Sequence, residues 1–228
     1  MSAHHLPGKP PVPLILRRSA RARRISLRVS SLDGRVTLTL PKSLPEREAL
    51  AFAAEKENWI RGHLARQPDA EDVGFGTVLP VAGRELRVTQ GKRRGIRIVG
   101  DEIHVGGDRP ARSLERYLKE LARDHLVAAS DHYATRLEKP FSRVSLRDTR
   151  SRWGSCSSAG ALMYSWRLIL APPDVLRYVA AHEVAHLREM NHSPAFWALV
   201  HELFGDYEAP RTWLRQNGSQ LHHYRFAG

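Results

Sequence analysis

His182-Glu183-Val184-Ala185-His186, with His192 six residues further on, constrains this chain more than any other stretch. On a helix, positions four apart lie within about 40° of each other around the axis, so His182 and His186 project from one face and can grip a single ion. Glu183 lies next to that face. Val175, Val179, His182 and His186 form one helical stripe, and Leu176, Ala180, Glu183 and Leu187 form the adjacent one. Both are otherwise apolar, and a carboxylate buried beside two imidazoles is costly unless charge or metal compensates. The pattern therefore favours a metal site over three unrelated core histidines.

The helix has a readable start in Ala171-Pro172-Pro173-Asp174, with a proline suited to the first turn and an acid at the positive end of the helix dipole. At its end, Asn191 tolerates left-handed backbone geometry and is expected to turn the chain so that His192 reaches the ion. Pro194 to Phe204 then reads as a further helix. Three neutral imidazoles suit Zn2+ and leave its fourth position open for a water, with Glu183 as general base. Tyr164, Tyr207, Arg152 and His201 are candidate donors to a tetrahedral oxyanion.

Upstream, Leu162, Tyr164, Trp166 and Leu168 alternate as in a strand, preceded by a Ser-Ser-Ala-Gly turn. A strand running into the metal helix is placed to bind an extended peptide by edge pairing, which makes Arg152, Trp153, Tyr164 and Trp166 candidate substrate-binding residues. Trp153 and Trp166 can equally be core aromatics.

Arg152-Trp153-Gly154-Ser155-Cys156-Ser157, Trp166 to Pro173, His182 to Leu187 and Asn191 to Trp197 together resemble the YgjP-like metallopeptidases, relatives of the SprT-like and WLM zinc proteases. The resemblance is dense from about Arg143 to Tyr224 and weaker before it. It implies a zincin-type peptidase domain, zinc on His182, His186 and His192, Glu183 as base and a polypeptide substrate. By analogy with SprT-like and WLM relatives, it also suggests proteins associated with DNA.

Charge points the same way: 36 Lys and Arg face 24 acids, a net of +12. Arg17, Arg18, Arg21, Arg23, Arg24 and Arg28 form one group, and Lys92, Arg93, Arg94 and Arg97 another. Such groups favour salt-sensitive, non-specific phosphate contacts, although a merely solvated basic surface fits equally. No apolar run approaches membrane-spanning length, the start lacks a signal-peptide core, and Cys156 is the only cysteine. The expectation is a cytoplasmic, non-membrane protein.

The expected fold class is α+β: a flexible tail over 1–13, a β-rich amino-terminal region over 14–110 with one helix, and a helical metallopeptidase region over 111–228. Strands are expected at Leu14 to Arg18, Ile25 to Val29 and Arg35 to Leu40, with Asp33-Gly34 as hairpin turn, then a helix from Pro45 to Ala65 and a linker from Gln67 to Gly76. Strands at Thr77 to Val81, Glu85 to Thr89, Arg97 to Val99 and Glu102 to Val105 follow, and a long helix from Ala111 to Leu137. No internal repeat stands out. Two other functions fit the same residues: a nucleic-acid-associated module with structural zinc, and a zinc aminopeptidase or other zinc hydrolase.

Overall fold

The computed structural model describes residues 4–30, 34–65 and 71–226, a mixed α+β chain. It falls into two units, Met1–Asp69 and Ala70–Gly228. The first holds β1 (His4–Leu6), β2 (Val12–Ser19), β3 (Ser26–Val29), β4 (Val36–Pro41), α1 (Glu46–Glu55) and α2 (Glu57–Ala65). Alternation along β4 sends Val36 and Leu38 inward, where they pack with Leu6, Val12, Leu14, Ala53 and Ile60. Each of the Val, Leu and Ile side chains contributes about 1.5–3 kcal/mol relative to exposure.

Residues 4–6, read as part of a flexible tail, pair with Val12–Leu14, and Arg61 donates to the Pro7 and Pro10 carbonyls at 2.9 and 3.0 Å. The single helix expected from Pro45 to Ala65 is broken at Lys56, whose backbone (φ −92°, ψ 12°) leaves the helical region. Asp33 of the expected hairpin turn and residues 67–70 of the expected linker lie outside the described residues.

The second unit continues with β5 (Glu71–Asp72), β6 (Val78–Val81), β7 (Arg84–Gly91), β8 (Ile96–Val99), β9 (Glu102–Gly106), α3 (Pro110–Leu137), β10 (Arg143–Arg147), β11 (Gly154–Cys156) and β12 (Ala161–Ser165). A 3-10 turn, Trp166–Leu170, leads into α4 (Pro173–Ala185), α5 (Pro194–Phe204), α6 (Glu208–Asn217), a second 3-10 turn, Gly218–His222, and β13 (Tyr224–Arg225). The residues after 70 are not all linker, since β5 pairs with β13. The strand expected through Leu168 ends at Ser165, and tightening into the 3-10 turn buries Trp166, Arg167 and Leu168 alike.

The border expected at 110/111 falls inside this unit. Leu79, Val81, Leu86, Val88, Ile103 and Val105 of β6, β7 and β9 share one core with Leu114, Leu118 and Leu126 of α3 and Val175 and Val179 of α4. Ala82 (φ 48°) and Gly83 (φ 82°) make the two-residue turn between β6 and β7. A Cβ on Gly83 would meet Pro173 Cδ at 2.8 Å, so this turn lies against the first residues of α4.

A repeat is present after all, in topology. The sheet orders β1-β2-β4-β3 and β6-β7-β9-β8 are the same arrangement, with the middle pair parallel and the flanking pairs antiparallel, each followed by helix. The third sheet, β10-β12-β11, repeats its last three strands.

Arg167 anchors the end of the chain. It donates to Asp148 Oδ1 and Oδ2 at 2.7 and 3.1 Å and to the Leu221 and Tyr224 carbonyls, both at 2.9 Å. Its guanidinium carbon lies 4.8 Å from the centre of the Trp166 ring. Burial alone would push the Asp148 carboxyl up, but the hydrogen bonds and charge of Arg167 prevail and hold it below its ordinary value. A depressed carboxyl stabilises above its unfolded pKa, and that stabilisation is lost as pH falls through the folded one. Because the Asp148 side chain is 41 % exposed, solvent screens much of this pair, and Asp148→Asn is expected to cost about 0.5–1 kcal/mol at neutral pH and progressively less in acid below about pH 4. Chemical denaturation of both proteins across pH checks this, and a penalty unchanged down to pH 2 would contradict it.

Candidate metal centre

The rotation of α4 is set by Val175, Leu176, Val179 and Ala180, all buried, and it carries His182 and His186 to one side with Glu183 beside them. The helix closes as the Leu187 amide donates to Val184 and those of Arg188 and Glu189 to Ala185. Asn191 does not adopt the left-handed backbone expected of it. Among the described non-glycine residues only Ala82 and Glu138 have positive φ. Its side chain acts instead, with Oδ1 accepting from the Ser193 amide at 3.0 Å. Ser193 then caps α5, its hydroxyl accepting from the Phe196 amide.

These bends bring His192 to the helix. Its Nε2 lies 3.1 Å from Nε2 of His182, and one nitrogen from each of His182, His186 and His192 falls within 4.8 Å of the others. His186 Nδ1 donates to the Glu189 carbonyl at 2.9 Å, which leaves Nε2 with its lone pair for a ligand. Burial, then the neighbouring His186 and His192, pulls His182 down to about 3, and burial also lowers His186. Both are neutral imidazoles at physiological pH, the form that binds metal.

The donor set fits a metal ion. Two imidazole nitrogens on one tetrahedral zinc stand about 3.3 Å apart, close to the separation of the His182 and His192 nitrogens. Glu183 is 6 % exposed, and burial pushes it up to about 8 against the opposing charge of Arg152. A dication on the adjacent imidazoles would supply the missing positive charge and favour the carboxylate. Among the described residues, Glu183 has no hydrogen bond or ion pair that would do so instead.

The surroundings include residues that sequence spacing did not single out. Phe196 stacks on His186 at 4.5 Å between centroids and meets His182 and His192 edge-on, while Trp197 packs against His182 and His192. Tyr178, one helical turn before His182, contacts its ring and lies 6.3 Å from Tyr207. Its position four residues before a candidate ligand was the available signal.

The four expected substrate-binding residues are not brought together on one surface. Tyr164 is 0 % exposed and shares a 3.0 Å hydrogen bond with Ser130, and Trp166 is 1 % exposed beneath Arg167. Both lie buried in the one hydrophobic cluster that also holds side chains of α3 and α4, Tyr164 on β12 and Trp166 in the 3-10 turn after it, and neither side chain is open to solvent. Trp153 is half-buried, 5.4 Å from the His222 ring and in contact with Gly218. Arg152 is exposed and near enough to influence Glu183. His201 is exposed on α5, outside the histidine cluster, and Tyr207 is half-buried against Trp197.

No curated protein sequence matches the chain. The metallopeptidase zymogen of Pyrococcus abyssi abylysin, a crystal structure, is similar at 21 % identity over 41 % of this chain and 92 % of that one, with a TM-score of 0.36. The family model described as YgjP-like, metallopeptidase domain matches residues 23–217, across the three histidines and Glu183, and the chain belongs to that metallopeptidase family.

Proposed function

We propose that this metallopeptidase is a zinc endopeptidase, with Zn2+ held by His182, His186 and His192 and Glu183 as general base. The convergence of three imidazole nitrogens, with the buried Glu183 next to His182 along α4, carries this reading. Zinc, when bound, supplies a Lewis acid that polarises a carbonyl and makes water acidic near neutral pH. Glu183 takes a proton from the attacking water on a carboxylate oxygen. The water oxygen bonds to the carbonyl carbon, the carbon–nitrogen bond breaks, and Glu183 passes the proton to the departing amine. His186, oriented by the Glu189 carbonyl, and His182, wedged against Phe196, hold their rings without reorganisation during the reaction.

Incubation with an unfolded protein tests the reading. Zinc-loaded chain is expected to generate new internal termini, to stop on chelation and to resume on zinc addition. Release of terminal residues alone would replace endopeptidase by aminopeptidase.

A specific observation favours nucleic acid as a second partner, and with it DNA-associated proteins as substrates. Part of each basic group occupies an equivalent connection of the repeated topology: Arg21, Arg23 and Arg24 between β2 and β3, and Lys92, Arg93 and Arg94 between β7 and β8. All six are exposed, and Arg94 lines a cleft with Arg109, Arg112 and Arg116, where Asp108, Glu115 and Glu120 offset part of the positive charge. Single-stranded DNA is expected to bind at low salt, with log affinity falling linearly against log salt at a slope of about −2 to −4. Fluorescence anisotropy measures it, and absence of binding at low salt would remove nucleic acid from the account.

A further inference from the structure

Gly154 opens β11, the outer strand of the sheet β10-β12-β11, and is in register with Tyr164 of β12. Its backbone is not in the left-handed region, so the main chain here accepts any L residue. Space is what demands glycine. A Cβ built on Gly154 would come within 2.6 Å of Glu183 Cγ and 2.7 Å of Cδ, with Oε1 also inside contact distance. A Cβ essentially never approaches another atom so closely, and the obstacle is the reactive end of Glu183.

The carboxylate has few other restraints. Among the described residues it accepts no hydrogen bond, and the charge that acts on it comes from exposed Arg152. Its aliphatic stem leaves α4 among buried neighbours, and its head lies against the bare Cα of the edge strand.

We infer that Gly154 is a positioning residue: by leaving out a side chain, β11 forms the wall that sets where the Glu183 carboxylate sits beside the three histidines. The inference rests on the proposed role of Glu183 for its kinetic consequence, and on packing alone for its structural one. A methyl group at position 154 would displace the carboxylate while leaving His182, His186 and His192 in place. A misplacement of about 1 Å costs on the order of 100-fold in rate.

Four full-length proteins test this: wild type, Gly154→Ala, Glu183→Ala and the double variant. Gly154→Ala is expected to bind zinc with wild-type stoichiometry, to lose about 10- to 100-fold in kcat with KM nearly unchanged, and to melt about 3–10 °C lower without metal. In the Glu183→Ala background the same glycine substitution is expected to shift Tm by less than about 2 °C, because the side chain it collides with is gone. An equal Tm loss in both backgrounds, or a wild-type Tm and kcat in Gly154→Ala, would overturn the inference. The Tm coupling needs neither metal nor activity, so it stands or falls separately from the peptidase reading. If the chain proves inactive yet the coupling is present, the wall exists and the function assigned to Glu183 is wrong.

Discussion

Replacing Glu183 by Gln is expected to lower kcat by about 10²- to 10⁴-fold, the usual contribution of a general base, with zinc content unchanged. The amide has the shape of the carboxylate, so the contact with Gly154 and the surrounding burial are preserved. What is lost is the ability to accept a proton from water and hand it to the amine. Since that transfer occurs only on the way through the transition state, kcat should fall with kcat/KM while KM stays near wild type. Steady-state kinetics on an unfolded protein or a peptide series, with zinc measured on the same samples, checks this. Wild-type turnover in the variant would refute Glu183 as base.

His192→Ala is expected to weaken zinc binding by more than about 100-fold, since even the groups that merely orient metal ligands are worth 10- to 100-fold. His192 is the exposed member of the cluster and sits on the segment between α4 and α5, so the helices themselves should survive its loss. His201→Ala is the control: an exposed α5 histidine outside the cluster should retain wild-type affinity. Competition with a chromophoric chelator measures both. Tight zinc binding by His192→Ala, or loss of it in His201→Ala, would contradict the ligand set.

Much of the helical architecture was legible in the sequence because its signals are local. Apolar stripes and prolines placed α3 and α5 almost to the residue, and the spacing of His182 and His186 put them on one face of α4 with Glu183 on the adjacent stripe. Strand alternation worked where one face is buried, as in β4, and failed at Trp166–Leu168, where every side chain is buried and a 3-10 turn replaces the strand. The burial of Tyr164 and Trp166 was out of reach for the same reason, since alternation cannot tell a solvent-facing strand face from one turned into the core.

Other features were out of reach because they are relations between distant segments. The repeated sheet order is carried by pairing, while its side chains differ enough that no sequence repeat stood out. Gly154 meets Glu183 across almost thirty residues, and Arg167 meets the Leu221 and Tyr224 carbonyls across more than fifty. Neither contact leaves a local periodicity. The turn into His192 was foreseen at Asn191, but through the backbone of that residue rather than its side chain.

X-ray absorption at the zinc edge tests the central claim most directly, because it separates an open catalytic ion from a closed structural one. For the zinc-loaded chain the account predicts three imidazole nitrogens at about 2.0–2.1 Å and one further oxygen donor supplied by water, with the same shell in Glu183→Gln. A shell of four protein ligands, or one that keeps three imidazoles after His192→Ala, would contradict it.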